Sequence, residues 1–305
     1  MVGSGCGYDG TVAQTKLLWQ SKLVLLIVLP FAAAGLVLQT HWWATASMPV
    51  AVWSCGLSAL LALVVLKLRA ATLMGALTGA VITASLMFST VTFPYEPWHT
   101  ALVPVLTVSL LAWSATKVGR KKKERLGTAE SRHGRSAAQV AANLGMAALA
   151  CSEVVQSWLM DSRWVLPGHG QGAPVFALGL AAMAEAAADT VSSEIGQVLG
   201  GRPRMITTLR VVEAGTDGGV TLAGTCAGVV AGGVVAGVGT LALRGGMELF
   251  WISGVGAVFG LLFDSLLGAT LERWGWLNND GVNFLSTASA AGFALGLLVI
   301  VSRVG

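Results

Sequence analysis

Long apolar runs separated by short polar patches set the pattern of this chain. Residues 23–66 contain no Lys, Arg, Asp or Glu, and neither do 70–95, 164–184, 220–243 and 281–302. A helix needs about 20 apolar residues to cross the hydrocarbon core of a bilayer. Inside lipid, backbone N–H and C=O groups must be satisfied within a helix or around a closed barrel. Barrel strands alternate with period two, and these runs do not. The pattern predicts an all-α, polytopic transmembrane helical bundle with about nine membrane helices, near 17–40, 48–66, 70–93, 99–118, 137–160, 173–198, 220–243, 248–271 and 283–303. The joints carry turn signals: Pro94 and Pro97, Pro167-Gly168, Gly200-Gly201 with Pro203, Gly245-Gly246, and Asn278-Asn279-Asp280-Gly281.

Composition agrees. Of 305 residues, 54% are hydrophobic and only 11% charged, which excludes an ordinary soluble domain. Residues 1–15, Gly-rich and polar, read as a disordered N-terminal tail. Residues 16–305 read as one transmembrane domain, with 119–136 as a basic loop. Cys6, Cys55, Cys151 and Cys226 lack metal-ligand spacing, so neither a zinc site nor a disulfide framework is expected. His41, His99, His133 and His169 are scattered and make no motif. No nucleic-acid partner is expected; membrane lipids are.

The charges orient the bundle. With the N-terminus on the cytoplasmic side, sixteen Lys and Arg fall inside and three, Arg163, Arg244 and Arg303, fall outside. In segment seven Gly224, Gly228, Gly232 and their neighbours recur about every four residues, a face for close packing within one bundle or between two copies in a homodimer.

Ionisable residues in membrane segments are costly and mark function. Here they form stripes: Arg135, Gln139 and Asn143; Glu185, Asp189 and Ser193, with Glu194 alongside; Asp264 and Glu272, with Gly268 between. Residues four apart share a helix face, and the predicted topology delivers all three stripes to the inner side. The loops containing Gly215-Thr216-Asp217-Gly218-Gly219 and Asn278-Asn279-Asp280 lie there too. Acids opposite a basic loop suit a phosphate–metal site, because Mg²⁺ takes carboxylate oxygens and bridges to phosphate. A Gly-rich turn at a helix start lets N–H groups approach an anion. Lys121–Lys123 serve either to bind anionic lipid as topology determinants or to hold a nucleotide or lipid phosphate; Arg132 and Arg135 lie nearer the stripe.

The blocks around Arg135–Asn143, Asp189–Gly196, Gly215–Gly224, Asp264–Gly268 and Asn278–Asn283, in that order across residues 115–303, resemble the phytyl-phosphate kinase family, which includes transmembrane protein 19. Segments one to three resemble it in hydropathy alone. The resemblance implies phosphoryl transfer from a nucleoside triphosphate, CTP favoured over ATP, onto an isoprenyl monophosphate such as phytyl phosphate, making a diphosphate precursor of tocopherol and phylloquinone. On that reading Asp189, Glu194, Asp217 and Asp264 hold Mg²⁺ and nucleotide phosphates, and Arg135 and Arg204 neutralise developing charge. Lys121, Arg132, Gln139, Asn143, Ser193, Gly215, Thr216, Gly218, Gly219, Asn279 and Asn283 bind or orient phosphate or base. The membrane is a plastid membrane in a photosynthetic eukaryote and otherwise the plasma membrane. The rivals are an isoprenoid alcohol kinase, a cytidylyltransferase forming a CDP-lipid, a transporter and a scaffold. Intramembrane acids confined to one side, with no internal repeat, weigh against transport.

Overall fold

The computed structural model describes residues 18–129, 133–161 and 176–304. The expected tail and Arg132 lie outside the described residues. The helices are α1 (Leu18–Ala46), α2 (Met48–Lys67), α3 (Leu73–Ser89), α4 (Leu102–Lys117), α5 (Arg120–Leu126), α6 (Ala137–Ala150), α7 (Glu153–Asp161), α8 (Ala177–Leu199), α9 (Leu222–Ala242), α10 (Met247–Leu267) and α11 (Asn279–Val304). Two residue pairs, β1 (Arg204–Met205) and β2 (Gly219–Val220), form an antiparallel ladder with Arg204 opposite Val220.

Each predicted segment contains a helix, but nine is more spans than length and composition support. Among the described residues six helices are long and apolar enough to cross a membrane, or seven if the pair α4–α5, bent by 66°, is one span. The other two fall short for physical reasons. α3 has only 17 residues, and α8 carries Glu185, Asp189 and Glu194. Apolar side chains such as Leu26, Val37, Leu63, Leu241 and Ile300 point outward, as lipid-facing surfaces do.

α8 is the axis of the bundle, packed by α4, α6, α9, α10 and α11. Its first twelve residues, mostly Ala and Gly, are all buried, because small side chains let neighbours approach from every side. The glycine face foreseen in segment seven is used within the chain. A Cβ on Gly224 would come 2.6 Å from Ser192 O, one on Gly228 2.6 Å from Ala188 O, and one on Gly232 3.3 Å from Ala184 O. Three glycines spaced by four thus lie on three successive carbonyls of α8.

Contacts between elements separate the two ends of the bundle. At one end Arg244 pairs with Glu96 at 2.9 Å, and His99 Nδ1 lies 3.0 Å from Ala242 O. At the other, Gln20 and Ser21 of α1 tie down the α10–α11 loop: Gln20 donates to Trp276 O at 2.7 Å and accepts from Asn278 N at 2.8 Å, while Ser21 donates to Asp280 at 2.6 Å. That second end holds the polar stripes.

Candidate functional site

The site end is assembled from three well-fixed backbone pieces. The first leads into α6. Gly134 has φ +77°, and a Cβ there would meet Ala70 C at 2.4 Å. Gly75 similarly leaves no room, with Arg135 O 2.3 Å from its would-be Cβ. Arg135 N donates to Ala70 O and Thr72 N to Arg135 O, each at 3.0 Å. The backbone of Arg135 is therefore clamped against the start of α3, and its guanidinium reaches Thr190 at 3.3 Å. Ser136 and Gln139 then close a capping box.

The second piece is the loop after α8. Gly215 (φ +87°) and Gly218 (φ +73°) take the left-handed conformation that favours glycine. A Cβ on Gly218 would meet Ala269 N at 2.3 Å, so the loop lies directly on the end of α10. There the helix widens into a π turn, Gly268–Glu272, a feature frequent at functional sites. The third piece is the start of α11, where Asn278 accepts from Gly281 N at 2.8 Å.

Between the second and third pieces, walled by α8, lies a polar cavity of about 960 Å³, part of it open to solvent, and the first piece sets Arg135 beside it. Asp189, Ser193, Asp264, Asn279 and Asn283 line it from three helices, and Gly215, Thr216, Asp217, Gly218 and Gly219 from the loop. These ten predicted residues are brought together. Glu272, Ser192, Gln197 and Thr221 join them. Thr221 caps α9, accepting from Gly224 N at 3.1 Å. The N-termini of α9 and α11 thus both abut the cavity, each with the partial positive charge that suits an anion.

Four carboxylates line this cavity, and among the described residues no Lys, Arg or His does. Asp189 lines the cavity with Asp264 and Ser193, and the charge of Arg135 acts on it from outside the cavity. Glu185 lies one turn along α8, 1% exposed, in the space left by Gly260, whose Cβ would sit 2.6 Å from Glu185 Cγ. Oε1 of Glu185 and Oδ1 of Asp264 are buried without a hydrogen-bond partner among the described residues. Carboxyl groups this close repel unless a cation or a proton lies between them. In the loop, burial raises the pKa of Asp217, and Arg273 draws it partly back. Among the described residues no three ligating side chains form a closed cage. The donor set still fits Mg²⁺, which keeps several waters and takes one or two carboxylates plus substrate phosphates rather than an all-protein cage.

Several expected residues stand elsewhere. Glu194 does not line the cavity; it is ion-paired with Lys123. Lys123, 1% exposed, also donates to Ala115 O and Thr116 O, each at 3.0 Å. It satisfies the last carbonyls of α4, and it turns the expected basic loop into helix α5, bounded by Gly119 and Gly127 at positive φ. Lys121 is exposed to solvent. Arg204 is also exposed and donates to Leu209 O at 2.9 Å, within its own hairpin. The Gln139 side chain is spent on the capping box, and Asn143 donates to Gln139 O at 2.8 Å, facing a different cavity. For Arg204, Gln139 and Asn143 local backbone groups were the nearer partners. Glu185 and Glu272 stood in the sequence stripes and were the signal for the acids added here. Nothing in the spacing marked Gln20 and Ser21.

The fold and cavity define a multi-pass integral membrane protein with a polar site at one end of its helical bundle. The chain belongs to the DUF92 family of integral membrane proteins, matched over residues 56–291. An uncharacterized membrane protein of Methanocaldococcus jannaschii is 32% identical to it over 65% of this chain and 75% of its own length. One from Synechocystis is 31% identical over 66% and 74%. Protein VTE6, chloroplastic, of Arabidopsis thaliana is 29% identical over 58% and 52%. No solved structure matches the chain.

Proposed function

We propose that this protein is a membrane isoprenoid-phosphate kinase, moving the terminal phosphoryl group of a nucleoside triphosphate, CTP by preference, onto an isoprenyl monophosphate such as phytyl phosphate. The observation that carries the reading is the cavity in which Asp189, Asp264 and Glu272 meet the glycine-rich loop with its Asp217 and two helix N-termini, without a Lys, Arg or His among the described residues. The family resemblance and the likeness to VTE6 support the same reaction class. The name of that relative supports a plastid membrane if the source is a photosynthetic eukaryote.

Asp189 and Asp264 would hold Mg²⁺, which when bound neutralises phosphate charge, and Asp217 and Glu272 share the cavity with them. Backbone N–H groups of Gly215–Gly219 and the starts of α9 and α11 receive the nucleotide phosphates. Asn279, Asn283 and Ser193 orient them. In the transfer, an oxygen of the lipid phosphate bonds to the γ-phosphorus as its bond to the β-bridging oxygen breaks, and nucleoside diphosphate leaves. The acceptor is already ionised, so no general base is needed. Arg135, beside Asp189, offsets the negative charge of the incoming phosphate.

The test is transfer of γ-labelled CTP or ATP, with Mg²⁺, to a panel of isoprenyl monophosphates and alcohols by purified protein in detergent. Labelled diphosphate, lost by 10²-fold or more in Asp264→Asn, is the expected result. Label arriving from the α-phosphate instead would mean a cytidylyltransferase, and label on the alcohols an alcohol kinase.

A further inference from the structure

A second cavity lies between α2, α3, α4 and α6 and touches α8 at Ala186. It has about 1030 Å³ of space, part of it open. Leu61, Val65, Val105, Val108, Val140 and Leu144 form its walls, and Gly79, Ala80 and Ala112 leave it wide. Its charge is the reverse of the first cavity: Arg69, Lys117, Arg120 and Arg135 line it, and among the described residues no Asp or Glu does. All four cations stand at element ends on the site end of the bundle: after α2, at the end of α4, at the start of α5 and before α6. Arg135 touches both systems, lining this groove while bonding Thr190, the neighbour of Asp189. Ala186, at the inner end of the groove, is one turn from Asp189 on α8.

Arg69 is placed at a cost. It follows the cap of α2 with φ +53°, and the bonds Arg69 N to Leu66 O and Ala70 N to Val65 O complete a Schellman turn. Glycine is the residue favoured in that left-handed position. An arginine there spends backbone conformational energy to put a cation at the groove mouth.

We infer that this groove binds a single-chain lipid phosphate, its chain between α2, α3, α4 and α6 and its headgroup among Arg69, Lys117, Arg120 and Arg135. The occupant follows from complementarity. Apolar walls take a chain, and Arg69, Lys117 and Arg135, with Arg120 shared with Glu124 at 3.2 Å, take a phosphate. A single chain is what the isoprenyl acceptor of the proposed transfer carries. That the bound lipid is the acceptor of the transfer rests on the kinase reading; binding itself does not. The groove then delivers the headgroup to Arg135, whose charge acts on Asp189 of the acid-lined cavity.

The probe is hexadecyl phosphate with a photoreactive, labelled chain, bound to full-length protein in detergent without nucleotide. Two variants plug the groove: Gly79→Phe, where a new Cβ meets only Val140 Cγ1 at 3.8 Å, and Ala80→Leu. Each is expected to cut labelling at least tenfold. Arg69→Gly removes the charge and relieves the left-handed backbone, so it should melt no lower than wild type yet bind about tenfold more weakly. Asp264→Asn should label like wild type. Peptide mapping should place the label on α3 and α6. Equal labelling in wild type and both plugged variants, or label spread over the outer faces of α1 and α2, would overturn the site. Competition by hexadecanol as strong as by hexadecyl phosphate would overturn the headgroup assignment, and equal competition by diacyl phosphatidic acid the single chain. If transfer fails while groove labelling persists, the kinase reading alone is lost.

Discussion

The Lys123–Glu194 pair gives the sharpest test of how the site end is built. Lys123 is 1% exposed and Glu194 12% at the side chain, and Lys123 also serves two carbonyls of α4. Lys123→Met removes the cation but leaves the buried carboxylate and both carbonyls behind. Breaking a buried pair from one side costs about 3–5 kcal/mol, a fall in melting temperature of roughly 6–20 °C at the usual 2–4 °C per kcal/mol. Glu194→Gln keeps an oxygen for Lys123 and loses only the charge, so about 1–3 kcal/mol is expected. Lys123→Met with Glu194→Leu replaces both partners with apolar groups of similar size. It should recover much of the loss, as such replacements do. The eleven tryptophans provide a fluorescence signal for thermal melts in detergent. If the single losses simply add in the double variant, the coupling is zero and the pair does not hold α5 to α8. If instead Glu194→Gln melts like wild type but stops phosphoryl transfer, Glu194 belongs to the chemistry and its structural assignment is wrong.

Three further outcomes are expected. Gly218→Ala combines a left-handed φ with a Cβ 2.3 Å from Ala269 N, so it should destabilise by about 1–2 kcal/mol for φ alone and weaken nucleotide binding, as measured by titration calorimetry. On α9, Gly228→Ala should lower the melting temperature sharply, because its Cβ meets Ala188 O at 2.6 Å. Gly292→Ala, with nothing within 4 Å, should be neutral or gain about 0.5–1 kcal/mol; equal effects at the two positions would refute the glycine rail. Asp217 holds its proton more tightly in the fold than its usual value of 3.8 because of burial, with Arg273 opposing. Its ionisation therefore costs stability as pH climbs from 3.8 through the raised value. The advantage of Asp217→Asn over wild type in melting temperature should be larger at pH 7 than at pH 4, and no change with pH would remove the burial argument.

The sequence by itself determined the helices and the chemistry type. Apolar runs the length of a bilayer leave the backbone no alternative, so all nine helical segments were legible, as were the acid stripes and the Gly215–Gly219 turn, because helical period and glycine punctuation are local properties. The left-handed turn that sets Arg69 carries no glycine to mark it, and the spacing of Gln139 reads as part of a polar stripe, not as the capping box that claims it. What only the tertiary structure decided was which charges face each other. Glu194 and Asp189 sit on one helix five residues apart, yet one meets Lys123 and the other Asp264, because α5 and α10 pack on different sides of α8. Spacing along a helix fixes the direction of a side chain, not the partner waiting there. The anchoring of the site loop by Gln20 and Ser21 spans more than 250 residues, and the acid cavity and the cation-lined groove are each assembled from helices far apart in sequence. Neither leaves a trace in periodicity, since both arise from packing at long range.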